Sequence, residues 1–212
     1  MTASHRIAAA CAAALALAGC SILGGSKEPP TIYAPEAQAA ADPAWPRVDW
    51  QLGIVRPDAP RMLDSSRIAV SPVAGELQVY KGAAWARTPA EMLQDGVART
   101  LEDSGRIPAV ARPGSGIRAD YRLLMDLRHF EARYDGAATP SAVIEVNAVL
   151  VKVADHAVVG SRTFREARPA AGTQPAVVAD AFAQALQATS RDLAGWVLAT
   201  GQAHAARHPD AR

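Results

Sequence analysis

Cysteine is nearly absent. The 212-residue chain has two, Cys11 and Cys20, both close to its start. The body beyond them therefore holds no disulfide framework, no thiolate metal site and no cysteine nucleophile. Aromatic residues are also few, 5% of the chain, so any that fall together stand out. Neither sign of charge is in excess, with 22 Lys and Arg against 21 Asp and Glu. That balance leaves no basic footprint for nucleic acid and no acidic tail. After Cys20 no apolar run approaches the ~20 residues that a bilayer-spanning helix needs. No glycine-rich phosphate loop joins a strand to a helix, and no G-x-S-x-G elbow occurs. Of the five histidines, His5 lies close to the N-terminus and His204 and His208 in the C-terminal tail, while His129 and His156 have no partner at metal-ligand spacing. The sequence thus offers no catalytic residues, no metal ligands and no binding motif for a diffusible cofactor.

What is present begins at the N-terminus. A short polar start with Arg6 leads into an apolar run from Ile7 to Ala18, followed directly by Gly19 and Cys20. A charged start, a short apolar stretch and small residues make a secretory signal, here over residues 1–19, too short to span a bilayer. An ordinary signal closes on small residues alone. Leu17-Ala18-Gly19-Cys20 instead resembles the bacterial lipobox, in which the Cys thiol receives a diacylglycerol, cleavage falls just before it and the freed amine is acylated. Cys20 is therefore the expected lipid-attachment residue and mature N-terminus. Three acyl chains, at about 0.8 kcal/mol per buried methylene, hold a protein to a membrane where one does not. Covalent lipid is the only non-protein group expected.

Residues 20–47 are rich in Gly, Pro, Ala and Ser, with Gly24-Gly25-Ser26, Pro29-Pro30, Pro35, Pro43 and Pro46. Such a stretch buries too little apolar surface to offset its ordering entropy and reads as a lipidated flexible tether. Thr31-Ile32-Tyr33 is a candidate short strand on a sheet edge. A single folded domain is expected over 48–201. Val48 to Ile54 alternates as a strand does; Arg67 to Val70 and Leu77 to Tyr80 are two more. Thr88-Pro89-Ala90-Glu91 is a capping box with proline in the first turn. It opens a helix carrying Met92, Leu93, Val97 and Leu101, which Ser104-Gly105 closes. Ile107 to Ala111 is a short strand. A long one with one apolar face runs through Tyr121, Leu123, Met125 and Leu127. Asp135-Gly136 turns into Val143 to Val153, apolar at nearly every position and expected to be central. Asp155-His156 then leads to Val158 to Phe164. A last helix opens near Pro175 with Val178, Phe182, Ala185, Thr189, Leu193 and Trp196 on one stripe. Gly201 is expected to end it, leaving a disordered tail over 202–212. The fold class is α+β: one mixed or antiparallel sheet with two helices packed on one face.

Few residues suggest chemistry. His129 reads as a surface or satisfied core histidine. Asp126 and Glu131 are odd-spaced, which places them on opposite faces of a regular strand. Glu145 and Asn147 share a face, as a polar pair meeting water or a subunit rather than as an active site. The stretch from Tyr80 to Trp85, with Lys81 and Gly82 between, reads as a loop before the first helix. Tyr80, Lys81 and Trp85 are the candidate partner-binding residues, because aromatics on loops supply large contact area at low entropic cost. The alternative is that Trp85 packs on its own helix.

Ser66 to Val70, Leu77 to Trp85, Pro89, Met92-Leu93, Ala119 to Leu123, Leu127 to Ala132, Arg162 to Phe164 and the closing helix together resemble the ABC-type transport auxiliary lipoprotein family. That family includes the C component of the paraquat-inducible Pqi system. The resemblance spans roughly Trp50 to Gly201, and the lipobox belongs to the same pattern. It implies a non-enzymatic lipoprotein beside an ABC permease, an ATPase and a mammalian-cell-entry (MCE) domain protein, which together move lipids or other hydrophobic solutes between two membranes. A homo-oligomer is compatible with this, and the family carries no catalytic residues. Ser21 follows the lipidated cysteine where an Asp retains Gram-negative lipoproteins in the inner membrane, so the expected location is the outer membrane, facing the periplasm. An assembly or binding lipoprotein of another envelope machine is the alternative, and a hydrolase with an unrecognised site the third reading.

Overall fold

The structure, a computed structural model, describes residues 29–36 and 40–208; the signal segment, Cys20 and residues 209–212 lie outside them. Ten elements follow in chain order: β1 (Thr31–Tyr33), β2 (Leu52–Ile54), β3 (Arg67–Ser71), β4 (Gln78–Trp85), α1 (Pro89–Ser104), β5 (Val110–Ala111), β6 (Tyr121–Arg133), β7 (Ser141–Lys152), β8 (Val158–Pro169) and α2 (Pro175–Arg207). The class is α+β, with eight strands in one mixed sheet.

The hub is β6. One edge pairs antiparallel with β7 along its length, and β8 continues that meander. Two parallel strands share the other edge: β2 lies against Tyr121–Leu123, and β3 reaches Ala132 and Arg133. Between them the 55–58 segment takes over, with Asp58 N–H donating to Met125 O (3.0 Å) and Leu127 N–H to Asp58 O (2.8 Å). On one flank β3 pairs antiparallel with β4 and β4 parallel with β1; on the other β5 adds parallel to β2. The expected central strand, β7, is instead second from an edge. Its continuous apolar pattern arises because Val143 is buried even on the face away from the helices.

Both helices cover one face of the sheet. Alternation puts Leu123, Leu127, Ile144, Val146 and Leu150 inward, where they meet Leu93, Val97 and Leu101 of α1 and Val178, Phe182, Leu186 and Leu193 of α2. Each buried side chain of this kind stabilises by about 1.5–3 kcal/mol relative to exposure. α1 starts as its sequence dictates: Thr88 Oγ1 accepts from Glu91 N–H and Glu91 Oε2 from Thr88 N–H (3.0 Å). It stops at Gly105, whose φ of +59° lies in the left-handed region that ends helices.

Several boundaries differ from expectation, each for a packing reason. The segment expected as tether is docked where it is described. The candidate edge strand Thr31-Ile32-Tyr33 forms as β1, paired with Ala83–Trp85; beyond it Asp42 meets Arg191 (3.0 Å), and Trp45 and Trp50 lie across α2. A Cβ at Gly195 would come 2.6 Å from Trp45 Nε1, and one at Gly201 2.5 Å from Trp50 Cζ2. Gly201 is therefore where a tryptophan crosses the helix, not where the helix ends, and α2 runs on to Arg207. At 33 residues it is about 50 Å long. β2 is short because Trp50 turns into the core and Gln51 N–H donates to Asp120 Oδ2 (2.8 Å) rather than to a strand partner.

Candidate functional site

The stretch from Tyr80 to Trp85 is strand, not loop. Gly82, with φ of +65°, breaks its regularity, and the β3–β4 register shifts nearby. Trp85 is only 2% exposed and packs edge-on against Phe130 (5.2 Å to Phe182, 6.0 Å to Phe130 between centroids), so it is a core residue and not a partner contact. The aromatic rings it meets belong to β6 and α2. Tyr80 is half-buried. Burial, then the neighbouring Tyr134 hydroxyl, holds its pKa well above the usual tyrosine value, and no well-formed hydrogen bond reaches its Oη among the described residues. Lys81 is exposed. β1 covers β4 only at Ala83–Trp85, so the edge from Gln78 to Gly82 has no strand neighbour among the described residues.

The face of the sheet opposite the helices carries most of the polar chemistry. A β-bulge at Arg128 sets Leu127 opposite Val146 and His129 opposite Glu145. An extra residue reverses the alternation beyond it, so Asp126 and Glu131 share this outer face, contrary to the regular-strand expectation. Glu131 is buried; its Oε1 lies 2.7 Å from His129 Nδ1 and its Oε2 accepts from Phe130 N–H (2.9 Å). Glu145 pairs with Arg165 (2.7 Å), and Asn147 Nδ2 donates to Thr163 Oγ1 (3.1 Å). These cross-strand partners satisfy the pair that the sequence placed on one face.

Two clefts open on this side. The upper one, about 280 Å³, is walled by Met62, Leu63 and Leu77 with His129, Glu131 and Arg133 on its floor. The lower one, about 410 Å³, lies between β2, the start of β6 and the 112–119 segment, with Arg112, Arg118 and Arg122 on its walls. Sequence reasoning missed both. The signal for the lower one was three arginines flanking Gly114-Ser115-Gly116, a cluster that overall charge balance conceals. Among the described residues no group of three or more His, Cys, Asp and Glu is placed to hold a metal ion, and no helix is long and apolar enough to cross a membrane.

At the end of α2 a titratable cluster ties the helix to the sheet. Tyr121 Oη lies 3.0 Å from His204 Nδ1, His204 stacks on His208 (4.5 Å), and Lys152 Nζ sits 4.7 Å over the Tyr121 ring. Burial, then the positive neighbours His208, Arg207 and Lys152, lower the His204 pKa, while Asp155 opposes them; burial raises that of Tyr121. A histidine depressed in the native state binds its proton more readily when unfolded. Its contribution is therefore full above pH ~6.5 and declines as pH falls through that value toward the native pKa. Thermal melting from pH 7.5 to 5 should drop less in His204→Gln than in the parent. Equal drops would mean that other groups carry the acid sensitivity.

Sheet, helices and outer face place this architecture among known proteins. Residues 31–194 match the sequence family described as the ABC-type transport auxiliary lipoprotein component. The chain belongs to that family. A crystallised protein of Xanthomonas campestris is 51% identical, with a TM-score of 0.81 over 83% of this chain and 99% of its own. A second solved structure, of an uncharacterized protein, shares the fold at 16% identity and a TM-score of 0.59, covering 79% and 97% of the two chains. An uncharacterized protein of Bradyrhizobium diazoefficiens is 27% identical over 158 residues, 74% of this chain; the match spans 41% of that longer protein. The matched region begins at β1, in keeping with the docking of residues 31–33 on the sheet.

Proposed function

We propose that this auxiliary lipoprotein is a non-enzymatic subunit, lipid-anchored through Cys20, of an envelope system that joins an ABC permease and ATPase to an MCE-domain protein and moves lipids or other hydrophobic solutes between inner and outer membranes. Membership of the transport auxiliary family over residues 31–194 carries this reading. The outer face supports it, because its buried or paired polar groups act as partners for one another rather than as an acid, base and nucleophile around a reacting atom. Ser21 after the lipidated cysteine favours the periplasmic face of the outer membrane.

The contact with the MCE-domain partner is assigned to the uncovered edge of β4 from Gln78 to Gly82. An open strand edge offers unpaired backbone groups to another chain, and an exposed lysine there guards against indiscriminate pairing. Lys81→Glu reverses that charge without touching the core. It should reduce co-purification of the MCE-domain protein several-fold and leave thermal melting unchanged. Undiminished recovery would move the contact off this edge.

A further inference from the structure

The lower cleft of the outer face has the chemistry of a ligand site. Its floor is made of small residues: Gly53 of β2 lies beside Ala111 of β5, and both line the opening. A Cβ at Gly53 would stand 3.1 Å from the Ala119 Cβ, so even one added carbon would crowd the floor. The wall is the 112–119 segment, which bends at Gly114 (φ +82°) and Gly116 (φ +72°) and exposes Ile117. Three guanidiniums line this small volume. Arg112 is already engaged by Glu102 (2.8 Å) and Asp95 (3.8 Å). The Arg118 and Arg122 side chains make no hydrogen bond or ion pair among the described residues, and the nearby Asp120 carboxylate accepts from Gln51 N–H. Two unpaired guanidinium forks at the mouth of a cleft match the bidentate geometry of a phosphate or carboxylate.

The second half of the site runs outward from the first. On the same face Arg122 lies opposite Val151, Leu124 opposite Val149, and Val151 in turn opposite Val158. Leu124 (39%) and Val158 (65%) are exposed large apolar side chains. An apolar strip that starts at an unpaired cationic pair fits a molecule with an oxyanion head and a hydrocarbon tail. Neither half explains the other without such a ligand: a site for a free anion needs no exposed Leu124 and Val158 beside it, and a purely apolar site needs no guanidiniums.

We propose that this cleft binds an anionic amphiphile, its oxyanion head on Arg118 and Arg122 and its chain along Leu124, Val149, Val151 and Val158. The inference stands on this cleft and does not depend on the identity of the transport partners. The full-length protein, purified from membranes in dodecyl maltoside, is titrated calorimetrically with octyl phosphate, inorganic phosphate and octyl glucoside. R118E/R122E in the same micelles supplies the background. Octyl phosphate should saturate one site per chain, and inorganic phosphate should bind at least tenfold more weakly. Octyl glucoside should show no saturable binding, and the double variant should lose at least tenfold in octyl phosphate affinity while melting as the parent does. If the double variant folds poorly, R122Q gives the same comparison with one exposed side chain changed. Equal octyl phosphate binding by parent and variant overturns the proposal, as does octyl glucoside binding as tightly as octyl phosphate. Inorganic phosphate binding as tightly as octyl phosphate overturns the amphiphile and leaves a free-anion site.

Discussion

Phe182→Asp should leave no folded population, and Phe182→Ala should lower the unfolding free energy by about 3–5 kcal/mol. Phe182 of α2 is fully buried and stacks on Phe130 of β6 at 4.7 Å between ring centroids, 13° from parallel. Trp85 of β4 closes the cluster edge-on to both rings. Three elements distant in sequence are thus joined through one ring, and removing it leaves a cavity that Phe130 and Trp85 cannot both fill. Native domains hold about 5–15 kcal/mol in all, so the alanine variant stays folded unless the parent lies near the bottom of that range. The aspartate variant adds an unpaired charge inside an apolar core, where Phe182 is fully buried. Urea titration should show a lower midpoint with unchanged slope for Phe182→Ala. A midpoint equal to the parent's would mean that α2 does not present this face to the sheet.

Cys20→Ala should abolish membrane attachment. The lipobox pattern makes Cys20 the only residue expected to carry lipid, and among the described residues no helix is able to span a bilayer. Without acyl chains the folded part has no comparable hold, because one or no chain gives only marginal binding. Fractionation should find the parent in membranes, chiefly the outer one, and the variant in the periplasm or held as unprocessed precursor. Mass spectrometry of the parent's mature N-terminal peptide should show a lipidated Cys20. An unmodified cysteine, or a variant still in the membrane after alkaline extraction, would remove the anchor from the account.

Where local rules and tertiary packing agree, the sequence was legible. The capping box at Thr88 and Glu91 forms as written, and the alternation from Tyr121 to Leu127 yields the hub strand with its apolar face inward. The β6–β7 and β7–β8 hairpins turn at Asp135-Gly136 and His156, all at positive φ. Where a distant residue decides the local outcome, the sequence was silent. Gly201 looked like a helix stop because glycine at that position usually is one; it is instead the gap into which Trp50 fits. The Pro- and Ala-rich stretch before Val48 looked like a tether by composition, yet Trp45 carries enough apolar surface to dock it on α2. Gly82 made β4 look like a loop, and its neighbours show that the strand tolerates one left-handed residue at an irregular pairing. The bulge at Arg128 has no Gly or Pro to announce it, so the shared face of Asp126 and Glu131 was hidden. The candidate contact residues divide accordingly: Lys81 stays on the surface, Tyr80 is half-buried and Trp85 belongs to the core.

The proposed role as an accessory subunit of an ABC and MCE-type envelope system turns on which proteins this lipoprotein meets in the intact envelope. The affinity-tagged, lipidated protein, produced at its native level, is cross-linked in living cells, isolated from solubilised envelopes and its partners identified by mass spectrometry. An MCE-domain protein should be the main cross-linked partner, with the ABC permease and ATPase recovered through it, and all three should be lost when Cys20→Ala detaches the subunit from the membrane. Recovery of a different envelope assembly, with neither an MCE-domain protein nor an ABC permease among its members, would contradict it.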